Sequence, residues 1–254
     1  MADADPYLDA LVSTVTADPN TLGLVLCGSS ADADRRDRWS DHDFLLVTVD
    51  GTPETYRTDL SWLPDASSLA WSFRDTPHGV KALYRNGLLV EFAVFDRAEF
   101  AGCALNHASV VVDCGGIAEL AEEVRARSLA PRPIDPVAEF RAFLALLYIG
   151  TGRAHRGERL SANVFLRTYA VEHLLRLAQE VLPESRRRDL DRLDPWRRFE
   201  TADALFAAEL DAAMALPVTE VGRALLAAAQ AWLAPLWPDY PHADAAIVRW
   251  LLGW

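Results

Sequence analysis

The chain has 254 residues, 51% of them hydrophobic and 24% charged, with 37 acidic against 25 basic side chains and a net charge of −12. Such an apolar fraction excludes wholesale disorder, and at about 150 residues per domain the length suits one large domain or two small ones. A surface this acidic repels phosphate backbones, which argues against general nucleic-acid binding and would attract a cationic small molecule. The acid is concentrated: residues 1–130 hold 21 acidic and 10 basic side chains, and residues 131–254 hold 16 and 15. Only Lys81 among the basic residues is lysine, a coding bias from which no function is read. Cys27, Cys103 and Cys114 form no CxxC pair, so neither a disulfide framework nor a structural zinc site is expected. The start, MADADPYLDA, has neither a basic segment nor an apolar run, and no stretch of about 18 apolar residues follows. The expected setting is the reduced cytoplasm, away from the membrane.

In chain order, Asp5 to Val15 has apolar residues at helical spacing. Leu22 to Cys27 reads as a strand ended by Gly28-Ser29-Ser30, and Asp43 to Val49 as a second strand stopped by Asp50-Gly51. Leu69 to Phe73, Lys81 to Tyr84 and Leu88 to Phe95 predict three more, with a turn at Pro77-His78-Gly79 and a hairpin at Asn86-Gly87. Val110 to Val112 reads as a short strand and Ile117 to Arg127 as a helix. Three prolines between Ala130 and Pro136 make a stiff linker, and the domain boundary is placed there: 1–130 and 131–254.

The second half is helical throughout. Helices are expected over Val137 to Ala154, from a Ser161 cap to Leu182, and over Ala202 to Ala215, Val218 to Leu233 and Ala243 to Leu252. The fold class is therefore α+β: a small mixed sheet followed by a helical bundle.

The chemistry lies between Leu22 and Val49. A strand runs into Gly28-Ser29, and Ser40-Asp41-His42-Asp43 opens the next strand. Alternate strand residues share a face, so Asp41 and Asp43 point one way and His42 the other. Two carboxylates one strand period apart make a hard, oxygen-only site suited to Mg²⁺. Gly28 permits close backbone approach, and Ser29 with the adjacent amides can hold phosphate oxygens. Glu91 is the charged member of an otherwise apolar strand, where charge is costly unless paired or bound to metal.

Gly-Ser, a loop, Asp-x-Asp and an acidic residue on a later strand resemble the polymerase-β-like nucleotidyltransferases. A minimal domain of this kind before a helical bundle looks like the antibiotic nucleotidyltransferases, which act on aminoglycosides and lincosamides. The resemblance covers roughly residues 8 to 100 by motif. It implies that Gly28 and Ser29 hold a triphosphate, that Asp41 and Asp43 bind Mg²⁺, and that Glu91 binds metal or acts as general base. Two departures stand out: the loop SADADRRDRW has no glycine, and His42 replaces the usual aliphatic residue.

Ser40 and Arg159 are further candidates for nucleotide contact and Glu158 for acceptor contact, from a cluster with Arg153 and Arg156 at a helix break. Arg35, Arg36 and Arg38 are a solvated charge run. Gly150-Thr151-Gly152 mimics a dinucleotide motif but follows a helix and lacks the third glycine. The expected reaction moves AMP from ATP, with Mg²⁺, to a hydroxyl of a small acceptor such as an aminoglycoside or lincosamide. Alternatives are a protein-modifying antitoxin-type nucleotidyltransferase and a non-catalytic nucleotide-binding or assembly protein. A homodimer is left open.

Overall fold

The computed structural model describes residues 5–31, 40–130, 133–187, 190, 191 and 193–254. The chain divides into two compact units, Met1–Ala130 and Pro131–Trp254. Its α+β class, with a mixed sheet preceding a run of helices, is the one expected from the hydrophobic patterning.

The first unit opens with helix α1 (Pro6–Ala17). The Asp5 carboxylate accepts from the amides of Tyr7 (3.1 Å) and Leu8 (3.2 Å), and Pro6 fills the first helical position. Leu8, Leu11 and Val15 are the buried stripe. Strands β1 (Thr21–Cys27) and β2 (His42–Thr48) follow, then helix α2 (Pro53–Thr58), strands β3 (Leu69–Arg74), β4 (Gly79–Tyr84) and β5 (Leu89–Phe95), helix α3 (Arg97–Gly102), strand β6 (Ala108–Asp113) and helix α4 (Ile117–Leu129). The sheet order is β3-β4-β5-β2-β1-β6; β2 and β5 run parallel, and every other neighbouring pair is antiparallel.

Each face of the sheet has its own core. Phe44, Leu46, Val80, Ala82, Val90, Phe92 and Val94 pack with α1 on one side. Val25, Val47 and Phe95 pack with Phe100 of α3 and Ile117, Ala121 and Val124 of α4 on the other. Helices α2 and α3 were not expected from the sequence, because six residues are too few to show a period. Arg57 of α2, only 8% exposed, ties them to the sheet. Its guanidinium donates to the Val94 carbonyl (2.9 Å from Nε) and to Glu99 of α3 (2.6 Å), and Glu99 itself closes a capping box with Asp96.

The second unit contains α5 (Pro136–His155), α6 (Arg159–Asn163), a π-helical stretch (Val164–Ala170), α7 (Val171–Val181), the short α8 (Glu184–Arg187) and α9 (Phe199–Ala202), α10 (Ala204–Ala215), α11 (Val218–Leu233) and α12 (His242–Leu252). They share a core that includes Phe140, Phe143, Leu147, Leu166, Leu174, Phe206, Leu225 and Leu226. Ser161, expected as a helix cap, lies inside α6 instead, where its hydroxyl accepts from Arg153. The helix begins two residues earlier, at Arg159. Gly150, in the rejected dinucleotide-like motif, is a packing residue. A Cβ there would come within 2.6 Å of Leu166 Cγ in the π-helical stretch. No described helix is long and apolar enough to cross a membrane.

Candidate active site

The parallel pairing of β2 with β5 places Asp43 directly opposite Glu91. Asp41 stands one strand period before Asp43, and one ligand oxygen from each of Asp41, Asp43 and Glu91 lies within 4.8 Å of the others. All three carboxylates are half-buried, so water and ions reach them. The donor chemistry suits a hard divalent cation: oxygen only, three anionic ligands, and room for water or phosphate oxygens to complete the shell. Glu91, placed by sequence in an apolar strand, is not buried; its side chain is 31% exposed. Its charge is met by Lys81, directly opposite on β4, whose Nζ is 2.9 Å from Oε1. Nζ is also 3.6 Å from Asp75 Oδ2. Pairing with Glu91 first, and with Asp75 second, holds the ammonium above its ordinary pKa. A cleft of about 250 Å³ is lined by Cys27, Asp43, Asp75, Lys81 and Glu91, among others.

His42, the middle residue of Asp-x-Asp, is buried on the opposite face, as strand alternation requires. Its Nε2 is 3.4 Å from Asp5 Oδ2, and the Tyr7 ring stacks on it at 5.3 Å. Burial and the neighbouring Tyr84 push the Tyr7 hydroxyl far above its normal pKa. Thus the departure from an aliphatic residue serves to seat α1 against β2. Cys27, at the end of β1, is a poor nucleophile. Burial, reinforced by Asp43 and then Cys103, pushes its thiol up to about 12.

The turn after β1 runs from Gly28 to Ala31, and Gly28 has φ +56°, a conformation that favours glycine. The Gly28 amide donates to the His107 carbonyl at 3.3 Å. The Ser29 side chain lies outside the described residues, as do Arg35, Arg36 and Arg38. Ser30, which sequence reasoning passed over, is 2% exposed. Its Oγ accepts from the Asp43 amide (3.1 Å) and reaches the Asp41 carbonyl (3.5 Å). It therefore fixes the backbone that carries both aspartates. Lys81 was passed over too, and the signal for it was its place across the hairpin from Glu91.

No family model matches the chain, and no curated protein matches it in sequence. Several solved structures resemble it, two of which follow. One is an aminoglycoside 6-adenyltransferase from Bacillus subtilis, at 12% identity and TM-score 0.42, covering 97% of this chain and 96% of the other. The second is a nucleotidyltransferase-like protein from Exiguobacterium sibiricum 255-15, at 14% identity and TM-score 0.41, covering 90% and 74%. With TM-scores this low, neither likeness bears on what the chain does.

Ser40 is half-buried two residues before β2. Glu158 and Arg159 belong to the second unit, whereas the three carboxylates belong to the first. Glu158 Oε1 is 2.8 Å from Arg156 Nε, which holds its carboxyl below the usual carboxylate range. Arg159 is exposed at the start of α6.

Proposed function

We propose that this chain is a divalent-metal-dependent nucleotidyltransferase that moves AMP from ATP to a hydroxyl of a small acceptor. Aminoglycosides and lincosamides are the first acceptors to try. The observation that carries this reading is the meeting of Asp41, Asp43 and Glu91 within 4.8 Å on one sheet face, beside an open cleft. Asp41 and Asp43 would hold Mg²⁺, with Glu91 as third ligand. The bound ion would neutralise charge on the triphosphate and make the α-phosphorus easier to attack. Ser30 keeps Asp41 and Asp43 in register, so the ligands need no reorganisation when substrate arrives. The turn at Gly28 brings backbone close to where the triphosphate would lie, and Ser29 and Ser40 are proposed to contact it there. Glu91 has two carboxylate oxygens, so pairing with Lys81 does not prevent it from serving a metal.

The test is transfer of label from α-labelled ATP to a panel of aminoglycosides and lincosamides in Mg²⁺, read also by mass shift. Transfer to an acceptor, lost on chelation and reduced by about 10²–10³ in Asp43→Asn, is the expected outcome. Turnover that survives exhaustive chelation, or a fully active Asp43→Asn, would sink the metal assignment.

A further inference from the structure

We infer that Lys81 is a built-in counter-ion of the carboxylate trio, lowering its affinity for a free divalent cation and raising it for one carried on a nucleoside triphosphate. The inference rests on the functional reading above and concerns how the same site is loaded. Cross-strand register puts Asp43, Glu91, Lys81 and Phe73 in one row over four neighbouring strands, so the ammonium is held beside the trio by the sheet itself. It stands 2.9 Å from Glu91 and 3.6 Å from Asp75, with a carboxylate on either side. Glu91 and Lys81 are each 31% exposed on the side chain, and both line the cleft together with Asp43 and Asp75.

The residue type matters. Every other basic side chain in the protein is arginine. A planar guanidinium locks onto one carboxylate in a fork, whereas an ammonium is a compact point charge with three rotatable donors. Lys81 can therefore loosen from Glu91 toward Asp75 when a cation takes the other side of the Glu91 carboxylate. Charge then decides the sign. A bare dication entering beside the ammonium is repelled by it, and it competes for Glu91. A dication on a triphosphate arrives with net negative charge, so the same ammonium attracts it. Partial exposure and salt screen both effects, which sets their size at about 3- to 10-fold in affinity.

The experiment measures free Mn²⁺ binding by electron paramagnetic resonance, and Mn²⁺·α,β-methylene-ATP binding by calorimetry, on the full chain. Lys81→Met should bind free Mn²⁺ about 3- to 10-fold more tightly and the metal–nucleotide about 3- to 10-fold more weakly, while Lys81→Arg keeps free Mn²⁺ binding as weak as in the wild type but, locked on Glu91, binds the metal–nucleotide more weakly. That crossover distinguishes a counter-ion from a structural prop. If Lys81→Met weakens both, or changes neither, the inference is overturned. Should Lys81→Met fail to fold, acetylation of the folded wild-type protein neutralises the same charge on the chain's single lysine, with acetylated Lys81→Arg as the control for the α-amino group. Asp43→Asn is the independent control for the site. If it retains wild-type Mn²⁺ affinity, the functional reading fails whatever Lys81 does. If it loses Mn²⁺ and the Lys81 variants show no crossover, only the counter-ion role fails.

Discussion

Ser30 and Glu91 show how a single side chain gains its role from its neighbours. The Ser30 hydroxyl is buried and accepts from the Asp43 amide, so Ser30→Ala removes that hydrogen bond. The expected loss is about 1–3 kcal/mol of stability, measured by urea unfolding, with Mn²⁺ affinity falling alongside because the aspartate backbone is loosened. Unchanged stability and metal affinity would show that the hydroxyl positions nothing. Glu91 was legible as an oddity, a charge in an apolar strand. What met that charge was not legible, since Lys81 is ten residues away and joins it only through strand pairing.

At the scale of elements, the hairpin between β4 and β5 decides that pairing. Asn86-Gly87 marks the turn in sequence, but the loop is three residues long, Arg85 to Gly87, with Gly87 at φ +92° and Tyr84 bonded to Leu88. A two-residue loop centred on Asn86 and Gly87 would set Lys81 opposite Phe92 instead, and a slip of one residue moves a whole strand's side chains to the other face. Two further elements give tests. Arg57→Ala removes the donors to the Val94 carbonyl and to Glu99, in a nearly buried position. It should cost about 2–4 kcal/mol in urea unfolding, with Arg57→Lys recovering only part because an ammonium cannot reproduce the planar fork. Asp113, at the end of β6, is held below the ordinary carboxylate pKa of 3.8, by the Ile117 amide first and then that of Ala118, at the start of α4. A lowered folded pKa means its contribution is complete above the unfolded value and is lost as pH falls through the folded one. The melting-temperature gap between wild type and Asp113→Asn should be full near pH 7 and should close as pH falls below the ordinary carboxylate range. A gap that widens in acid would contradict this.

At the scale of the molecule, the buried cores each lie wholly within one unit, residues 8–124 in the first and 140–245 in the second. Limited proteolysis should therefore cut first between Leu129 and Pro136, between α4 and α5, and yield two resistant fragments, identified by mass spectrometry. Early cuts inside α5 or β2 would argue against separate units. The sequence by itself determined the α+β class, six strands and the main helices, because period-2 and period-3.6 patterns report burial locally. It also determined that Asp41 and Asp43 share a face while His42 faces away, since alternation along a strand needs no partner. Only the tertiary structure decided that β5 lies parallel to β2 with Glu91 opposite Asp43, that Lys81 sits against Glu91, and that Ser30 secures the aspartates. Those facts depend on strand order and register, which are set by contacts between distant residues and leave no periodic trace along the chain.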